Sequence, residues 1–238
     1  MKRYAVFVLR FALAPMISGT FVVSMNRPAS LIEWAHIISG FALIYLIIGL
    51  LIRSAMHREL RLPGFFALIA ALLEAIPGVP RLHAAVSPIL FTTLAWAAVA
   101  LPRPGHDGSA KPLRIFALPA LVLLAILYGV GYRHKASGVA PHISAAMLVA
   151  GALLIFCMYV NQQYPEAATL RGIANLTIAA VLFQIAMGAT ALVIRMLEIE
   201  GGLALGFSRT AHITGAGALL AASTMLAIQY RRTHVQLG

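Results

Sequence analysis

The chain has 238 residues, of which 61% are hydrophobic and 11% charged, with a net charge of +11. Soluble domains carry about 25% charged residues, so a soluble fold is excluded and a polytopic membrane protein is the expectation. The cations fall between apolar runs rather than in one patch, which reads as topology and lipid-headgroup signals and excludes a nucleic-acid site.

Eight membrane spans are expected, near 4–24, 31–52, 63–78, 82–101, 114–132, 140–160, 171–194 and 210–230. Each run approaches the roughly 20 residues that cross a bilayer core as helix. The opening "MKRYAVFVL" has some look of a signal peptide, but Arg10 interrupts it and no A-x-A site follows, so it is read as a first membrane helix. Punctuation separates the rest. "NRPAS" follows the first span and "RSAMHRELRLPG" the second. "PGVPRLH" is so short that the third and fourth spans must run antiparallel. "LPRPGHDGSAKPLR" divides the chain in the middle, and "NQQYPEAATLR" follows the sixth span.

An even number of spans puts both termini on one side. The 18 lysines and arginines divide two to one between the sides. The richer side holds Lys2, Arg3 and Arg10, the loops around Arg58, Lys111 and Arg171, and Arg231 and Arg232. The poorer side holds Arg27, Arg81, Arg133, Lys135, Arg195 and Arg209. Both termini are therefore expected to be cytoplasmic.

A faint internal repeat is visible. "LLEAIPGVP" (72–80) aligns with "LFQIAMGAT" (182–190), so Glu74 matches Gln184 and Gly78 matches Gly188. A histidine opens the span after each stretch, His83 and His212. The expected fold is all-α, with eight transmembrane helices in two pseudo-symmetric four-helix bundles, 1–105 and 112–238. Repeats of this kind place functional sites in equivalent positions.

Four of the eight histidines lie within spans: His36, His83, His142 and His212. Each falls in the first third of an even-numbered span, which puts all four in the outer leaflet. Polar side chains at such depth are rare and tend to be functional. Two histidines per half suit a bis-imidazole heme, whose iron takes one axial nitrogen from each face. Small residues follow each histidine, such as Ser39 and Gly40 or Gly215 and Ala216, and would give a flat ring room. Arg27, Arg81, Arg133 and Arg209 are available for propionates on that side, and "YRHKASG" (132–138) reads as a propionate clamp. Two other readings stay open. The histidines could be interhelical hydrogen bonders among packing residues, or pairs on zinc or copper. Cys157, the only cysteine, excludes a disulfide, a cysteine zinc cluster and covalent heme attachment.

Glu33 precedes His36 by three residues, so the two share a helix face. A buried carboxylate there could move protons or stabilise positive charge on a substrate carbon. The alternative is an ion pair with Arg27 or Arg81. Glu74, near the outer end of its span, is expected to pair with Arg81.

"GYRHKASGVAPHISAAMLVAG", "FQIAMGATALVIR", "AHITGAGALL", "IEWAH" and "LHAAVSPILFTTLAW" together resemble the heme A synthase family of cytochrome oxidase assembly proteins. The resemblance runs over nearly the whole chain and is clearest in the second half. It implies a b-type heme between His142 and His212, with Arg133 and Arg209 beside it. It implies heme O as substrate between His36 and His83, near Arg81, with its C8 methyl oxidised to formyl and Glu33 assisting. It further implies a multi-pass protein of the inner membrane, working beside a heme O synthase or terminal oxidase subunits; self-association is left open. The chain departs from the family at Ile37, where arginine is usual, and in lacking an outer-loop cysteine pair. The rival functions are a b-type bis-histidine cytochrome or respiratory-complex subunit without enzymatic activity, and a transporter or assembly factor without heme.

Overall fold

A computed structural model of the chain describes residues 2–25, 30–54, 57–76, 79–100, 113–197 and 203–237. Among the described residues the chain is helical, with no strand. The elements are α1 (Lys2–Phe11), α2 (Leu13–Met25), α3 (Ser30–Ser54), α4 (Arg58–Glu74), α5 (Pro80–Ala100), a 3-10 turn at Leu113–Phe116, α6 (Ala117–Arg133), α7 (Val139–Gln163), α8 (Ala168–Met196) and α9 (Leu203–Leu237).

Six described helical stretches are long and apolar enough to cross a membrane: Lys2–Ser24, Leu31–Ser54, Arg81–Ala100, Val139–Gln163, Ala168–Met196 and Leu203–Thr233. α6 is apolar but has 17 residues, and α4, also 17, opens with Arg58, Glu59 and Arg61. The surface confirms the solvent. Trp34 is 61% exposed, Tyr45 75% and Ile155 72%, while polar side chains such as Thr177 and Ser223 are buried. A chain that turns large apolar groups outward and satisfies its polar backbone within helices is built for lipid. It is a multi-pass membrane protein.

Two departures from the expected spans have local causes. The first span is broken at Ala12 into α1 and α2. Pro15 lacks an N–H and its ring crowds the carbonyl of Phe11, four residues back, which interrupts the helical ladder. The last span begins seven residues early, at Leu203 rather than 210. The polar run Ser208-Arg209-Thr210 reads as a loop, yet Ser208 and Thr210 are buried, and the Ser208 hydroxyl donates to Leu205 O in the preceding turn. A hydroxyl that bonds its own helix backbone crosses the boundary at little cost.

The helices pack in chain order. α2 packs on α3, α3 on α4, α4 on α5, and α1 on α5. In the second half α6 packs on α7, α7 on α8, α8 on α9, and α6 on α9. Several pairs within each half make little or no backbone contact, among them α3 with α5, α2 with α4, α7 with α9 and α6 with α8. One core joins Val8, Ile47, Leu50, Ala67 and Leu94. Another joins Val122, Val149, Leu153, Val181 and Leu220. A third, around Cys157, Leu170 and Leu226, ties α7, α8 and α9 beyond it. α9 also lies along α5 and α2, with Ala221 inside the first core.

Candidate functional site

The four membrane histidines meet in two couples. His36 on α3 faces His83 on α5, with ring centres 5.8 Å apart and planes at 77°. His142 on α7 faces His212 on α9, with centres 6.1 Å apart and planes at 83°. Neither helix pair packs backbone to backbone at its couple, although side chains of α7 and α9 meet further along, as at Phe156 and Tyr230.

Each imidazole is held the same way, by the helix before it in the chain. His36 Nδ1 donates to Pro15 O at 2.9 Å, and His83 Nδ1 to Glu74 O at 3.1 Å. His142 Nδ1 donates to Ala125 O at 3.1 Å, and His212 Nδ1 to Gln184 O at 3.2 Å. A carbonyl can only accept, so the proton is assigned to Nδ1 in every case and Nε2 keeps its lone pair. This is the arrangement by which proteins orient a metal-ligating histidine.

The rings lie against glycine. A Cβ on Gly19 would sit 2.6 Å from His36 Cε1, one on Gly129 2.9 Å from His142 Cε1, and one on Gly188 2.8 Å from His212 Cε1. Each glycine is four residues past the accepting carbonyl, one helical turn on. Gly78 stands in the same register after Glu74 and lies outside the described residues. The small residues that follow the histidines serve differently. Gly40 borders open space, while Gly215 abuts the side chains of Gln184 and Phe183.

A cavity of about 220 Å³ opens at the first couple, lined by His36, His83, Glu74, Gly40, Phe41 and Ser87 among others. That is below the ~300–1,000 Å³ of sites that enclose a small molecule, so the cavity as it stands does not enclose a whole macrocycle. The donors fit such a group. Two imidazoles on opposite faces of one metal, each about 2 Å from it, have ring centres roughly 6 Å apart. Zinc fits poorly, since it needs three or four protein ligands and no cluster of three His, Cys, Asp or Glu occurs among the described residues.

The carboxylates are placed otherwise than the sequence suggests. Glu33 is exposed and does not line the cavity. Three residues turn a helix by about 300°, leaving side chains about 60° apart, and that offset carries Glu33 outward while His36 points in. Arg27, one expected partner of Glu33, lies outside the described residues. Glu74 does not pair with Arg81. Its Oε2 accepts from His83 Nδ1 at 2.8 Å, and it lies on the cavity wall. Arg81 instead donates to His134 O at 3.5 Å, so a cation of the first half reaches the 132–138 loop of the second. At that loop Arg133 and Arg209 are close enough to act on one another electrostatically. Arg195 lies over the Tyr132 ring and donates to its hydroxyl.

No protein-family model matches the chain. A curated protein does. The chain is similar to a heme A synthase. That relative, from Bacillus pumilus (strain SAFR-032), is 27% identical over 183 residues, which is 66% of this chain and 59% of the relative. The chain therefore spans about three-fifths of that heme A synthase's length.

Proposed function

We propose that the chain is a membrane heme protein of the heme A synthase type. The observation that carries this reading is the pair of facing imidazole couples, each ring tied at Nδ1 and free at Nε2. In it, residues 1–105 and 112–238 form two related four-helix bundles, with α4 and α6 also crossing the membrane. His142 and His212 hold a heme b through Nε2, with Arg133 and Arg209 positioned for its carboxylates. His36 and His83, with Arg81 near, would hold heme O as substrate; turning its C8 methyl into formyl takes in one oxygen atom, as from water, and releases four electrons to an external acceptor. The bound iron supplies redox chemistry. The protein's part is to hold each ring between two helices, keep the imidazole tautomers fixed and exclude water with Phe41, Ile44 and Leu90. Glu74 is on the wall of this site and Glu33 is one turn from His36 on the outward side of α3, so both carboxylates are tested as proton acceptors. The location is the inner membrane, both termini cytoplasmic and the histidines in the outer leaflet, beside a heme O synthase or terminal oxidase subunits.

A second reading is favoured by one observation, the outward placement of Glu33. A bis-histidine b-type cytochrome that only moves electrons needs no carboxylate at the ring. The two separate in one experiment. The chain is co-expressed with a heme O synthase, and its hemes are extracted, converted to pyridine hemochromes and weighed by mass spectrometry. Heme A in the extract supports the enzyme, and its loss in Glu33→Gln or Glu74→Gln names the carboxylate used. Heme B and unaltered heme O, with reversible reduction, support the cytochrome. Purified protein with no Soret band overturns both.

A further inference from the structure

We propose that Glu74 sets the first histidine couple apart from the second: its carboxylate makes His83 a stronger iron ligand and lowers the reduction potential of a heme on His36 and His83 below that of a heme on His142 and His212. This rests on the heme reading above. The two halves are built alike up to one atom. Glu74 and Gln184 align in the repeat, and the backbone carbonyl of each accepts the Nδ1 proton of the histidine on the next helix. Their side chains part company. Glu74 Oε2 sits 2.8 Å from His83 Nδ1. The Gln184 amide turns away and donates to the backbone carbonyl of His212 at 2.8 Å. Among the described residues, His83 is the one membrane histidine whose Nδ1 meets an anionic acceptor.

The Glu74 side chain is well placed for this. It is 13% exposed, and Oε1 is buried with no hydrogen-bond partner. Arg81, the cation that could draw the carboxylate off, is engaged by the His134 carbonyl. An ionised acceptor bonds about twice as strongly as a neutral one. Pulling the Nδ1 proton toward Oε2 raises electron density at Nε2, which favours ferric over ferrous iron. Glu74 acts through His83, so it is a positioning residue. In a chain with an electron path between its halves, the ordering sends electrons from the first site to the second.

The test is a spectroelectrochemical titration of the full chain carrying both hemes, with the first-site couple identified as the one lost in His83→Ala. In the wild type the His83-dependent couple is expected at the lower potential. In E74Q the ferric-to-ferrous ratio of that couple at fixed potential falls about tenfold, which is ~59 mV for one electron, while the other couple stays in place. E74D keeps the charge and shifts the couple less. The inference is overturned if the His83-dependent couple is the higher one in the wild type, or if E74Q leaves it unmoved. Should E74Q lose the first heme, the wild-type order and the E74D value decide. A wild type that binds no heme overturns the functional reading as well, and is told apart from an unmoved couple by its missing Soret band.

Discussion

Gly19, Gly129 and Gly188 have no chemistry of their own, yet each decides where an imidazole can lie. A methyl at any of them would overlap a histidine ring carbon, on the same edge of the ring that Nδ1 ties to a carbonyl one turn back on the glycine's own helix. The neighbour that must give is a planar side chain held by two constraints, so it cannot yield cheaply. Gly129→Ala and Gly188→Ala are each expected to cost the second site its heme. The heme-to-protein ratio, read by pyridine hemochrome, should fall by about half. Gly172→Ala is the control, because nothing lies within reach of a Cβ there. It should leave heme content unchanged and raise helix stability by roughly 0.5–1 kcal/mol. The histidines and the Glu74–Gln184 register are legible in the sequence because they are rare polar residues in apolar runs. The glycines are not legible as ring seats, since a glycine in a membrane helix is common and its role depends on a different helix. Glu33 misleads for the same reason: spacing fixes the angle between two side chains but not which of them points inward.

At the scale of elements, the turn after α6 shows how a loop is held. His134 caps the helix, Lys135 N donates to Tyr132 O at 3.1 Å, and Ala136 N to Gly131 O at 2.8 Å. That pattern places Lys135 at the left-handed position of a helix-ending motif usually given to glycine, and its φ is 57°. A side chain there costs about 1 kcal/mol. Lys135→Gly should therefore be neutral or raise stability by up to ~0.5 kcal/mol, and Lys135→Val, β-branched, should lower it by about 1–2 kcal/mol. Thermal unfolding in detergent reads both. His134 adds a pH dependence. Burial, with Arg133 and Arg81 nearby, holds its imidazole below the ordinary value of 6.5. The unfolded chain then takes up the proton first, so stability is full above that value and is lost as pH falls through it. The melting temperature is expected to drop between pH 7.5 and 5.5, and less so in His134→Gln. The spans themselves were readable from apolar length. Their ends were not, because a polar run need not end a helix: the Ser208 hydroxyl bonds back to Leu205 O, and the charged opening of α4 is exposed.

For the whole molecule, the decisive element is α9. It carries His212, closes the second half against α6 and α8, and lies along α2 and α5 of the first. The seam is narrow. A Cβ on Gly217 would stand 3.3 Å from Met16 Sδ and 3.7 Å from Pro88 Cα, and the Thr20 and Thr214 hydroxyls are 3.2 Å apart across it. Gly217→Leu should force the halves apart, cost about 1–3 kcal/mol by overpacking, and loosen the Arg81–His134 contact. The expected outcome is a lower melting temperature with both hemes retained, since neither histidine couple spans the seam. Loss of both hemes together would show that the halves depend on one another for their sites.

The sequence by itself determined the solvent, the helical class and the four histidines, because apolar length and the cost of a polar group in lipid are properties of composition and order. Only the tertiary structure decided how close the paired imidazoles stand, that each is tied at Nδ1 to the helix before it, with His36, His142 and His212 seated on a glycine there, and that Glu74 rather than Glu33 touches an imidazole. Those facts depend on rotation about helix axes and on the seat one helix offers another, and neither is written in any single run of residues.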